Sequence, residues 1–296
     1  MTIGRMERVP AAARVLWRLI EPVHAVSYFA AEPIAAFREA GYRGFWMGYF
    51  AGRAAPLGPV GPELVYALFY NFSFERVARA LPDAWTFAPP PVALEARERG
   101  ATAALQRQLG ELARDPRVAA AADLLARAAH AAPLQGRPLC AANRALPEPV
   151  DPIARLWHFA TLLREHRGDG HIATLLNFGI TGRQSHVLQS LAIGMPKTVY
   201  VAARDFSDGE WEDMLAELRT AGYVDAAGNL TDAGRAIKDA IETRTDELAW
   251  SAYAGLPPGD LDALAGALRP IARAVVGSGD IPHNAPMGLN LSELAD

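Results

Sequence analysis

Leu218-Arg219-Thr220-Ala221-Gly222-Tyr223-Val224-Asp225-Ala226-Ala227-Gly228-Asn229-Leu230-Thr231-Asp232-Ala233-Gly234 is the stretch on which the fold turns. Ala221-Gly222 ends a helix that Ser207-Asp208 begins, because serine and aspartate cap helix starts and glycine closes helix ends. Tyr223-Val224 and Leu230-Thr231 read as two short strands around the turn Asp225 to Asn229, and Asp232 then opens a long helix to Leu248. Upstream, Arg183 to Ile193 has helical spacing and is followed by a loop. The order is therefore helix, helix, β-hairpin, helix.

Working outward, apolar residues keep helical spacing elsewhere, as in Leu156, Phe159, Ala160 and Leu163. This predicts a mainly α fold. Pro89-Pro90-Pro91 and the proline-rich stretch Pro133 to Pro152 read as linkers, and Val92 to Ala132 as two helices parted at Asp115-Pro116. A last helix is expected from about Asp260 to Val276, followed by a tail. Phe37-Arg38-Glu39-Ala40-Gly41-Tyr42-Arg43-Gly44 can be laid over Leu163-Arg164-Glu165-His166-Arg167-Gly168 with two residues skipped, and each follows a Leu-Trp pair. That pattern suggests two similar helical lobes from an internal duplication, residues 1–145 and 146–296, with a helix-hairpin-helix element at about 181–248. Chance is the alternative, since arginine, glutamate and glycine are common here.

Composition narrows the function classes. The chain has 296 residues, enough for a substantial core, and a formal charge of −4 from 29 basic and 33 acidic residues, which weighs against phosphate neutralisation as its main business. One cysteine, Cys140, excludes an internal disulfide and a thiolate cluster. The start, Met1 to Pro10, carries Arg5, Glu7 and Arg8 without an apolar core, and no apolar run reaches membrane-spanning length, so a cytoplasmic protein without membrane association is expected.

Leu218 to Val224 and Leu230 to Gly234 resemble the wing of multiple-antibiotic-resistance-type winged-helix regulators. The resemblance implies that the preceding helix enters the major groove and that the wing touches the backbone. Here that helix carries Asp208, Glu210, Glu212, Asp213 and Glu217, and the turn has no basic residue. Carboxylates facing phosphates are repelled, so DNA is disfavoured as a partner, and the element reads as a scaffold or homodimerisation unit. Over most of the chain, His24-Ala25-x-x-Tyr28-Phe29, Gly48-Tyr49-Phe50-Ala51-x-Arg53-Ala54-Ala55-Pro56-Leu57-Gly58, Leu163 to His171 and Pro286-Met287-Gly288-Leu289 resemble an actinobacterial-type family with a degenerate winged helix. That resemblance implies a shared architecture and brings no activity.

Chemistry concentrates in Arg164-Glu165-His166-Arg167-Gly168-Asp169-Gly170-His171. If a helix ends at Gly168 and Asp169 caps the next, His166 sits at a C-terminus and is favoured as imidazolium, while His171 sits in a first turn and is favoured neutral. The two then make an acid and a base, with Arg164, Arg167, Glu165 and Asp169 around an anionic or polar substrate; a solvated helix junction is the plainer alternative. Glu21, His24 and Tyr28 share one face if the first helix runs through Pro22, again either a catalytic row or a packed histidine. Gly41 to Gly61 alternates glycine with Trp46, Tyr49 and other aromatics before Arg53, which suits an aromatic pocket with a cationic end or plain helix packing. Metal binding by His24, His166 and His171 fits by residue type, but no ligand motif supports it and no metal is assigned; the cofactor is unknown, and no dinucleotide, flavin or P-loop motif is present. The leading expectation is a small-molecule enzyme with His171 as base, His166 or Tyr28 as acid, and Arg53 and Arg164 as anchors. The alternatives are a ligand-responsive regulator touching DNA through Arg183, Gln184, Ser185 and His186, and a non-catalytic binding protein.

Overall fold

The computed structural model describes residues 9–282 together with Ala285, Met287, Leu289 and Leu294. Arg5, Glu7 and Arg8, and Pro286 and Gly288 of the tail motif, lie outside the described residues.

The chain is helical throughout. In order, the helices are α1 (Val9–Phe29), α2 (Ala31–Glu39), α3 (Gly44–Ala54), α4 (Pro62–Phe69), α5 (Phe74–Ala78), α6 (Ala84–Phe87), α7 (Pro90–Leu109) and α8 (Pro116–Ala131). They continue with α9 (Pro138–Arg144), α10 (Pro152–Asn177), α11 (Gly182–Ile193), α12 (Lys197–Arg204), α13 (Asp208–Thr220), α14 (Asp232–Trp250) and α15 (Pro258–Gly277). No helix among the described residues is long and apolar enough to cross a membrane.

Several of the prolines expected as linkers start helices instead, while Pro133, Pro147 and Pro149 lie between helices. Pro90 and Pro91 occupy the first positions of α7, where a missing N–H costs nothing, and Pro138 and Pro152 do the same for α9 and α10. Asp115 behaves as expected, its carboxylate accepting from the Arg117 N–H at the start of α8. Inside α1, Pro22 is carried without a break.

Three apolar cores hold these elements. The main one joins Leu16, Ile20 and Val26 of α1 to Leu105, Leu125, Trp157, Leu264 and Ile271, so the expected boundary at 145/146 runs through shared packing. The second gathers α2 to α6 around Phe50, Phe69 and Phe72, and the third gathers Leu175, Val187, Tyr200, Trp211 and Leu218 under α11 to α14. α10 is buried around most of its circumference and touches α1, α7, α8, α9, α11 and α14, which makes it the central member. The two segments laid over one another occupy different settings. Arg38 and Glu39 close α2 beside Gly41, whose φ of +99° suits glycine, whereas Arg164 and Glu165 lie in mid-helix.

The helix-hairpin-helix element at about 181–248, a helix-turn-helix arrangement, follows the expected order with two differences. The loop after α11 contains α12, which ends where Asp205 turns left-handed at φ +62°. The hairpin shrinks to one antiparallel bridge between Val224 and Leu230. Tyr223 N–H returns to the Leu218 carbonyl to close α13 and the Thr231 hydroxyl caps α14, so helix ends consume the residues a ladder needs.

Candidate functional site

A cavity of about 850 Å³ lies between the helical body and the helix-turn-helix element. α1 lines it with Arg14, Trp17, Glu21 and Tyr28, α3 with Phe45, Trp46 and Tyr49, and α10 with Arg164, Arg167 and His171. α11, α12 and α14 complete it with Ser185, His186, Arg204, Lys238 and Glu242, and Met287 and Leu289 of the tail also reach it. Every segment behind the family resemblance thus contributes to one space: Tyr28, Tyr49, Arg164 to His171, and the tail.

The helical pattern explains the convergence. Positions 14, 17, 21 and 28 fall on one face of α1, and 164, 167, 168, 171 and 175 on one face of α10. In α3 the alternation of glycine and aromatics serves both readings. A Cβ on Gly52 would sit 2.3 Å from Phe37 Cζ, and one on Gly48 2.9 Å from Phe37 Cβ, so glycine lets α2 and α3 close on one side. The aromatics turn to the cavity on the other.

Among the residues singled out from sequence, Tyr28, Trp46, Tyr49, Arg164, Arg167 and His171 line the cavity, and Arg53, Glu165, His24, His166 and Asp169 do not. Arg53 is no free anchor. Its Nε and Nη2 donate to Glu165 Oε1 and Oε2 at 3.1 and 3.2 Å, and its guanidinium lies 4.0 Å over Phe69. Glu165 also accepts from Arg164 Nη1 at 2.9 Å. Burial alone would raise its carboxyl pKa, but Arg53 and Arg164 more than reverse this and hold it well below the usual range.

The expected pair of helix ends around His166 and His171 is not formed, because α10 runs unbroken through Gly168-Asp169-Gly170. Both histidines are pushed down to about 4, first by burial and, for His166, then by Arg137. Neither is an imidazolium at neutral pH. Gly170 is in the helix because a Cβ there would lie 2.1 Å from Arg137 Nη1, and Asp169 does not cap α10 but accepts the Cys140 N–H at 3.0 Å. Desolvation lifts the Asp169 carboxyl to about 7.

His171 has a defined tautomer. Thr245 Oγ1 donates its one proton to the Ile241 carbonyl at 2.7 Å, so it must accept at 2.9 Å from His171 Nδ1–H. That leaves Nε2 with its lone pair. Tyr28, on the same cavity, is bonded to His24 Nε2 at 2.8 Å, and His24 Nδ1 to Thr161 Oγ1 at 3.0 Å. The row on α1 is thus Thr161, His24 and Tyr28. Glu21 lines the cavity outside that row, accepting from Trp17 Nε1 and Arg164 Nε. Burial raises the Tyr28 pKa further above its ordinary value and drives that of His24 down, so both are neutral. No three of His, Cys, Asp and Glu gather as metal ligands among the described residues.

Sequence reasoning missed Arg14, Trp17, Arg204, Lys238 and Glu242. The first two were legible from their spacing to Glu21 and Tyr28; Arg204 was not, because α12 had been read as a loop. Arg14 and Arg167 bind Glu242 and Asp246, and Lys238 binds Glu242 at 2.6 Å, which ties α1 and α10 to α14.

The helix-turn-helix element has capping boxes at both Thr181-Gln184 and Ser207-Glu210. The model of a helix-turn-helix family matches residues 13–282. The chain belongs to that family. No curated protein and no solved structure matches it. In this helix-turn-helix protein, α13 turns Asp208, Glu212, Asp213 and Glu217 to solvent, and its Arg219 is folded back onto the Asp225 carbonyl. The other surface considered for DNA is engaged internally: Arg183 donates to Glu210, Gln184 to Glu217 and Ser185 to the Gly182 carbonyl, and His186 is buried.

Proposed function

We propose that this protein binds a small molecule in the cavity between its body and its helix-turn-helix element, and that the element forms a wall of that site and does not read DNA. The observation that carries this reading is the 850 Å³ cavity itself, lined by the aromatics of α3 together with α11, α12 and α14. Its size lies within the range of ligand sites. The acidic solvent face of α13 supports the second half, since phosphates need cations there. The order of helices and hairpin supports a degenerate winged helix of the multiple-antibiotic-resistance type in an actinobacterial-type family. Native mass spectrometry of the purified protein tests the reading: a small molecule bound one to one and lost in Trp46→Ala supports it. Sequence-specific, salt-sensitive duplex DNA binding without any bound small molecule overturns it.

A second reading, acid–base catalysis, is favoured by the fixed tautomer of His171. Its Nε2 is a neutral base and the Tyr28 hydroxyl is an acid on the same cavity, with Arg164 as a polar anchor. His166, outside the cavity, has no part in it. In this reading His171→Ala and Tyr28→Phe keep ligand binding and lose turnover by about 10²–10⁴-fold. Full turnover in both removes it.

A further inference from the structure

Of the cavity cations Arg14, Arg164, Arg167, Lys238 and Arg204, the first four each meet a carboxylate. Arg14 and Arg167 meet Glu242 and Asp246, Arg164 meets Glu21 and Glu165, and Lys238 meets Glu242. Arg204 meets no carboxylate among the described residues. The titratable groups that act on it are Tyr49, Arg53, Tyr200 and Arg164. A half-buried guanidinium without a counter-charge is costly, and it is retained here in a fixed position.

Two contacts fix it. Arg204 Nε donates to His186 Nε2 at 3.2 Å, and the guanidinium carbon lies 4.4 Å from the Phe72 ring centre. His186 is itself buried and packed on Tyr200, so it holds the arginine without answering its charge. With Nε engaged, the distal edge formed by Nη1 and Nη2 is the fork that suits a carboxylate. Phe72 packs against Trp46 and Tyr49 with ring centres 6.0 and 5.6 Å apart, so the cationic end runs directly into the aromatic wall.

Resting on the reading of the cavity as a ligand site, we propose that its ligand is a planar polycyclic aromatic carboxylate, with the carboxylate on Arg204 and the rings against Trp46 and Tyr49. Arg204, which meets no carboxylate, calls for an anionic group, and its distal edge matches a planar carboxylate. The 850 Å³ volume is at the upper end of the usual range and is far more than one ring fills.

Fluorescence anisotropy with pyrene-1-carboxylate, 1-pyrenemethanol and 1-pyrenemethylammonium on the full chain tests this. The carboxylate is expected to bind at least tenfold more tightly than the alcohol, and the ammonium most weakly. Arg204→Met should bring the carboxylate to the affinity of the alcohol while leaving the alcohol within twofold, and Arg204→Lys should keep part of the preference. Equal binding of carboxylate and alcohol by the unaltered protein, or equal weakening of all three probes in Arg204→Met, overturns the proposal and leaves the ligand site standing. Failure of all three probes to bind overturns the ligand site and the proposal together.

Discussion

Arg53 and Glu165, 112 positions apart in the chain, share two parallel hydrogen bonds of 3.1 and 3.2 Å in the interior between α3 and α10. Each end is almost fully buried, so the pair is a joint between the aromatic wall and the central helix. Removing one partner of such a pair strands a charge.

Glu165→Gln leaves both Arg53 and Arg164 undercompensated and is expected to lower unfolding stability by about 3–5 kcal/mol, measured by urea denaturation. Arg53→Met with Glu165→Met should recover part of that loss. A single variant as stable as the parent would show that the joint carries no energy.

Asp169 gives a pH dependence of opposite sign to most carboxylates. Its folded pKa of about 7 exceeds the unfolded value of about 3.9, so the folded state loses stability as pH rises from 4 to 7 and is level above that. Asp169→Asn keeps an acceptor for the Cys140 N–H and removes the titration. Its stabilising effect should be near zero at pH 4 and grow to about 2–4 kcal/mol at pH 8. Thermal unfolding at the two pH values checks this; an effect independent of pH contradicts it.

Gly182 opens α11 against the Tyr70 carbonyl, 2.1 Å from where a Cβ would stand, and Tyr70 Oη donates to the Ile180 carbonyl nearby. Gly182→Ala therefore pushes the helix-turn-helix element off the body. A cost of about 1–3 kcal/mol is expected, together with weaker ligand binding, read by calorimetry on the folded variant.

His166 and His171 should separate cleanly. His166→Ala is expected to lower stability without changing ligand affinity, because the ring is buried away from the cavity. His171→Ala should change affinity or turnover. Equal effects from both would contradict the placement.

Reversing charge on α13 with Asp208→Lys, Glu212→Lys and Asp213→Lys should strengthen non-specific duplex binding at low salt relative to the parent. Each new phosphate contact adds about 0.9 to the slope of log affinity against log salt, readable by mobility shift.

Most helices were legible because their ends are local. Asp115, Ser207 and Thr231 cap the helices that follow them, as their chemistry requires. Gly168-Asp169-Gly170 misled because its reasons are distant: Gly170 makes room for Arg137, and Asp169 serves Cys140. The same holds for the site. The aromatics and His171 stand out in the sequence, whereas the burial that neutralises both histidines, and the pairing that occupies Arg53, exist only once α3, α9 and α10 meet. Arg204 stands out on the cavity only through what fails to pair with it.

The continuity of α10 has a further consequence. Inserting one residue between Glu165 and His171 would rotate everything beyond it by about 100°, since the helix has 3.6 residues per turn. The Arg53 joint and the cavity wall are therefore geared to one another. The shape of the cavity can vary by exchanging side chains in place, but not by lengthening the shaft that carries them.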